Sequence, residues 1–229
     1  VKLLLFDIDG TILTSSIGRS AMQQALAQCC GGSLSTTHVS FAGKTDPQIV
    51  REILLTNGFA VAEVVTLLPE ILAVYVEVAH RHMRQDAVAI LPGVRDLLDH
   101  LVGRDEVQLG LLTGNLEVTA YLKLEAAGLA RYFPFGAFGS DHADRAALPP
   151  IAVHRAHTHR GHTFAGKNVV IIGDAENDVR CGRGIGAFSV AVCTGLTDRA
   201  TLAAETPDLL LDDLCDPVAF IHEVVRRAA

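Results

Sequence analysis

The chain has 229 residues, 49% of them hydrophobic and 20% charged, enough apolar material to bury a sizeable core as one domain or as one domain carrying an insertion. A formal charge of -7 without a long basic run argues against a nucleic-acid backbone as partner, and the expected ligand is small. No apolar stretch reaches the roughly 18 uninterrupted residues of a membrane span, and the opening VKLLLFDID lacks the features of a signal peptide, so no membrane partner and a cytoplasmic location are expected.

In chain order, KLLLFD (2–7) is the first strand candidate. Residues from about 14 to 90 hold no strand pattern but several helical stretches, among them DPQIVREILLTNG, with Asp46 as N-cap, Pro47 at the first helical position and Gly58 just past the end. The chain returns to the first rhythm near LPGV (91–94). From there short apolar runs alternate with helical patterns: helix GVRDLLDHL, strand VQLGLLT (107–113), a helix from Leu116 to Ala127 ended by Gly128, strand FGAFGSD (135–141) and helix PPIAVHRAH. Strands NVVIIGD (168–174), FSVAVCT (188–194) and DLLLDD (208–213) follow, then helix PVAFIHEVVRRAA. Such alternation marks a parallel sheet with crossover helices. The expected fold class is α/β: a Rossmann-like parallel-sheet core (1–13 and 91–229) with an inserted all-helical domain (14–90).

Three of these strands end in a particular polar chemistry: FDIDGT after the first, LLTGN after the second and IIGDAEND after the fourth. In open α/β sheets ligands bind outside the carboxyl ends of the strands, so these distant segments are expected to converge. Asp7, Asp9, Asp174 and Asp178 then form an acidic cluster, which is unfavourable unless a cation neutralises it. Hard oxygen ligands without His or Cys suit Mg²⁺. Asp7 has the character of a nucleophile that forms an aspartyl-phosphate. A carboxylate approaching a phosphate dianion meets a repulsion of about 8 kcal/mol at 4 Å and an effective dielectric near 20, which a bridging metal ion removes. Asp9 is placed to protonate the leaving oxygen and then to take a proton from water. Gly10 permits a sharp turn, and Thr113 and Asn115, around the flexible Gly114, offer a hydroxyl and an amide to phosphate oxygens.

The segments DIDGT (7–11), LLTGN (111–115) and GDAEND (173–178) resemble the first, second and fourth motifs of the haloacid dehalogenase superfamily, in that family's order. The helical insertion resembles its cap domain, and GKTDPQIVREIL (43–54) with the stretch from Ile172 to Gly195 is most similar to the phosphoglycolate phosphatase group. The resemblance implies Asp7 as nucleophile, Asp9 as acid and base, Thr113 as phosphate binder, and Mg²⁺ held by Asp7, the Asp9 carbonyl and Asp174, with Asp178 in support. Asp9 favours phosphatases and phosphomutases, since dehalogenase members lack an acid there. One motif departs: the family's lysine before the fourth strand is missing, and DHADRAALPPIAVHRA stands in its region with no Lys between Lys123 and Lys167. Arg145 is the first candidate for that charge, because a guanidinium bridges two oxygenated groups, and Arg155 is the second.

Other patterns have plainer readings. Lys44, in FAGKTD, either faces the cleft and pairs with an anionic group of the substrate or is an ordinary solvated lysine. His154, His157, His159 and His162 read as a solvated helix face and not as a zinc site. GHTFAGKN (161–168) reads as a turn, and the glycines of CGRGIG (181–186) as a helix end. The five cysteines, without a CxxC, are expected to be reduced thiols. The sequence therefore predicts a Mg²⁺-dependent phosphatase acting on a small phosphorylated metabolite, as monomer or homodimer. The alternatives are a phosphomutase of the β-phosphoglucomutase kind, or a non-catalytic binding protein of the same fold.

Overall fold

The computed structural model describes residues 1–226. Its elements run β1 (Lys2–Phe6), β2 (Leu13–Ser15), α1 (Ile17–Cys30), α2 (Asp46–Thr56), α3 (Val61–His82), β3 (Val88–Ile90), α4 (Val94–Leu101) and β4 (Val107–Leu112). They continue with α5 (Glu117–Ala126), β5 (Gly136–Ala137), α6 (Leu148–Arg160), β6 (Val169–Gly173), α7 (Glu176–Cys181), β7 (Phe188–Val192), α8 (Arg199–Ala204), β8 (Leu209–Leu211) and α9 (Pro217–Phe220), extended by a π-helical turn over Ile221–Arg226. The C-terminal helix expected from the sequence also included Arg227, Ala228 and Ala229, which lie outside the described residues.

Six strands form one parallel sheet in the order β5-β4-β1-β6-β7-β8. β1 is central because it is apolar on both sides: Leu4 and Phe6 face a core shared with α4, α5 and α9, while Leu3 and Leu5 face a second one against α6. Burial on both faces explains why its sequence is a continuous run and not an alternating one.

The predicted insertion contains α1, α2 and α3, which bury a cluster of their own, including Met22, Leu26, Ile53, Val64 and Tyr75. Two details differ from expectation. The segments that leave and re-enter the core pair as an antiparallel ribbon, β2 with β3 (Leu13 opposite Ile90), so residues 14–15 and 88–90 are strand and not helix. The paired residues are remote in sequence, and local periodicity carries no trace of such pairing. The strand expected at 135–141 shrinks to Gly136–Ala137, because beyond it the Phe138 N–H turns to the Asp141 carboxylate and the Gly139 N–H to the Asn115 carbonyl. At α2 the N-cap is Thr45, whose hydroxyl accepts from the Gln48 N–H, and not Asp46. The Asp46 side chain is used elsewhere.

Candidate active site

β1, β4 and β6 end side by side, and their carboxyl ends carry the three motifs to one place. Asp7 follows β1, held by its N–H to the Ile172 carbonyl (2.9 Å), and Asp174 follows β6. Oxygens of Asp7, Asp174 and Asp178 lie within 4.8 Å of one another, all buried. Gly10 makes this convergence feasible: with φ of 88° it turns the chain, and a Cβ there would sit 2.4 Å from an Asp174 oxygen. Thr11 Oγ1 donates to Asp174 (2.9 Å), Thr194 Oγ1 to the Gly10 carbonyl (2.6 Å), and the Ala175 N–H to Asp178 (2.9 Å).

The positive charge comes from Arg145, in the single turn ahead of α6. Its Nη2 lies 3.1 Å from Asp7 Oδ1, bonds Asp178, and donates to the Leu112 carbonyl (3.2 Å). Burial works against its charge, but Asp178 and Asp7 outweigh that and hold the guanidinium above its usual range. Arg155 is bound instead by both oxygens of Asp141 (2.6 and 2.7 Å) and by the Gly136 carbonyl, so of the two arginines it is Arg145 that reaches the carboxylates.

Three buried carboxylates thus face one guanidinium. Burial and the neighbouring acids push Asp174 well up from the carboxylate range, and burial, offset in part by Arg145, does the same to Asp178. This all-oxygen set fits a hard divalent cation, whose charge would let all three ionise together. The histidines of α6 form no such cluster among the described residues.

Asp9 is not part of that cluster through its side chain. Its Oδ2 accepts from Asn115 Nδ2 (2.7 Å) and from Lys123 Nζ (2.5 Å), and Lys123 also donates to Asn115 Oδ1 (2.6 Å). Asn115 sends its second amide proton to Thr113 Oγ1 (2.8 Å). Both of its side-chain donors are therefore spent on the protein, and the expectation that its amide serves phosphate oxygens gives way to one that it orients Asp9 and Thr113. Thr113 lines the cavity with its hydroxyl proton still to give.

The cavity has a volume of about 350 Å³, between the sheet edge and α1, α2 and α3. At its wall the loop before α2 lies directly on the LLTGN loop: a Cβ at Gly114 would sit 1.9 Å from the Lys44 carbonyl, so only glycine allows this approach. The Asp46 N–H donates to the Gly114 carbonyl (2.7 Å), and its carboxylate accepts from the Leu116 N–H (2.9 Å) and from the Tyr75 hydroxyl. Burial drives Asp46 up to about 6, against the pull of Lys123 and the Leu116 N–H. Lys44 lines the cavity too, but its ammonium is paired with Glu52 on α2, so it is neither a solvated lysine nor a free charge in the cleft.

With this geometry in place, comparison with known proteins is decisive at the level of family. Residues 4–192 match the family model for haloacid dehalogenase-like hydrolases. The chain belongs to that family. It is 29% identical to a phosphoglycolate phosphatase of Agrobacterium fabrum over 99% of this chain and 96% of that protein. It is 30% identical to a phosphoglycolate phosphatase of Synechococcus elongatus, in an alignment spanning 62% of this chain and 63% of that one. The fold is similar to that of a hydrolase from Pseudomonas syringae, with a TM-score of 0.69, 20% identity and coverage of 98% and 100% of the two chains.

As a haloacid dehalogenase-like hydrolase the chain brings together Asp7, Asp9, Gly10, Thr113, Gly114, Asn115, Arg145, Asp174 and Lys44 around one cavity, with Asp178 directly behind. Sequence reasoning missed Lys123 and the Asp46 carboxylate. A signal for Lys123 was present: Ala120 and Leu124 on α5, with Ala127 just past its end, form an apolar stripe, and Lys123 interrupts it, buried. An ammonium in such a position needs an acid across the interface, and Asp9 is that acid.

Proposed function

We propose that the chain is a phosphatase that hydrolyses a small, phosphoglycolate-like phosphate monoester through an aspartyl-phosphate on Asp7. The observation that carries this is the meeting of Asp7 with Arg145 at 3.1 Å beside two further buried acids, on the wall of a cavity sized for a small metabolite. The helical segment 14–90 serves as the cap domain over the core, 1–13 and 91–229.

In this reading Arg145 and the Thr113 hydroxyl bind the phosphate oxygens and hold the phosphorus in line with Asp7. An Asp7 oxygen bonds to phosphorus as the ester P–O bond breaks, and the departing oxygen takes a proton from Asp9. Asp9 then removes a proton from water, whose oxygen bonds to phosphorus as the Asp7 O–P bond breaks, releasing inorganic phosphate and restoring the carboxylate. Lys123 and Asn115 hold Asp9 in place for both tasks. Mg²⁺, held by Asp7, the Asp9 carbonyl and Asp174 with Asp178 in support, would supply charge neutralisation between nucleophile and phosphate. Packing of the Lys44–Asp46 segment on Gly114 closes one side of the cavity to water.

The test is phosphate release from a panel of phosphorylated metabolites, with Mg²⁺ and again with chelator, for the wild type and Asp7→Asn. The proposal expects release without a bisphosphate activator, abolished by chelator and by the substitution. Phosphoryl return to substrate in place of release would make the enzyme a mutase. Absence of turnover across the panel would make it a binding protein.

A further inference from the structure

Four cationic side chains line the cavity: Arg19, Lys44, Lys123 and Arg145. Two are committed within the protein, Lys44 to Glu52 and Lys123 to Asp9, and Arg145, beside Asp7 and Asp178, belongs to the reacting end of the cavity. Arg19, exposed on the first turns of α1, is different. Its guanidinium carbon lies 3.9 Å from the centroid of the Phe41 ring, and among the described residues no carboxylate pairs with it. This contact with the ring spends none of the N–H donors, which stay available in the fork arrangement that matches a carboxylate or a phosphate. The core side of the cavity already supplies Arg145 and Thr113 for the reacting phosphate, which leaves the charge on the helical side for a second negative group.

We infer that Arg19, held against Phe41, receives a second anionic group of the substrate, so that the enzyme selects short phosphate monoesters carrying a carboxylate or another phosphate. This rests on the phosphatase reading above and adds to it the residue that reads the rest of the substrate, a task the sequence suggested for Lys44.

The experiment compares kcat/KM on matched pairs: 2-phosphoglycolate against 2-hydroxyethyl phosphate, and fructose 1,6-bisphosphate against fructose 6-phosphate. The wild type should favour the more anionic member of at least one pair, and the pair that discriminates identifies the second group as carboxylate or phosphate. Arg19→Gln should lower that preference by about 30-fold, corresponding to about 2 kcal/mol at 1.36 kcal/mol per factor of ten, with Arg19→Lys in between. A wild type that hydrolyses these esters without preference, an unchanged preference in Arg19→Gln, or a larger loss in Lys44→Gln overturns the inference and leaves the phosphatase reading standing. Hydrolysis of none of the esters removes both.

Discussion

Asp46 offers a sharp test of how the helical layer is fastened to the catalytic loop. Burial outweighs the Leu116 N–H and the nearby Lys123 charge, and its acid titrates at about 6 in place of 3.8. At 1.36 kcal/mol per pH unit that rise is worth about 3 kcal/mol. The sign follows from linkage: the folded state holds this proton to higher pH than the unfolded chain. Stability therefore falls as pH rises from about 4 to about 6, and the full cost is present above that window. Asp46→Asn keeps an oxygen for the Leu116 N–H and carries no charge. It should match wild type near pH 4 and exceed it by up to about 3 kcal/mol at pH 8. Urea denaturation of both proteins from pH 4 to 8 measures this directly, and titrations common to the two cancel in the difference. An Asp46→Asn variant less stable than wild type at pH 8 would show that the ionised carboxylate is a net stabiliser, and the account of this contact would be wrong.

Three further outcomes are expected. Lys123→Met leaves Asp9 held by Asn115 alone and should lower kcat/KM for alkyl phosphates by about 10- to 100-fold, the worth of one charge-assisted hydrogen bond, with a smaller loss on p-nitrophenyl phosphate, whose leaving group needs no proton. Equal losses on both substrates would contradict the positioning role. Arg145→Ala strands Asp7 and Asp178 and should cost about 3–5 kcal/mol of stability together with turnover, whereas Arg155→Ala, removing an outlying pair with Asp141, should affect turnover less. The reverse ranking in steady-state assays would reassign the charge. Gly114→Ala drives a methyl into the Lys44 carbonyl and should destabilise by about 1–3 kcal/mol in thermal melts, and a neutral result would mean that the two loops part readily.

Much of this architecture was legible in the chain because its central strands announce themselves. β1 and β6 are buried on both faces and each is followed directly by an aspartate, so composition and position pointed to the same edge. The β2–β3 ribbon and the brevity of β5 were not legible, since each is set by a partner or a turn remote in sequence. The same division holds in the site. Asp7, Thr113 and Asp174 sit at motif positions, and Arg145 emerged from the gap left by a missing lysine. Whether Lys44 or Arg19 carries a free charge depends on Glu52 and Phe41 standing where the fold puts them, which residue type alone does not disclose. Asn115 shows the converse: its amide chemistry was foreseen, but its partners turned out to be Asp9 and Thr113.

The central claim is that Asp7 becomes covalently phosphorylated. Rapid quenching during turnover, borohydride reduction of the acyl phosphate and peptide mass spectrometry test it most directly. The account predicts conversion of the residue at position 7 to homoserine, dependent on substrate and on the divalent cation. Turnover that proceeds with position 7 unreduced, or with reduction at another carboxylate, would contradict it.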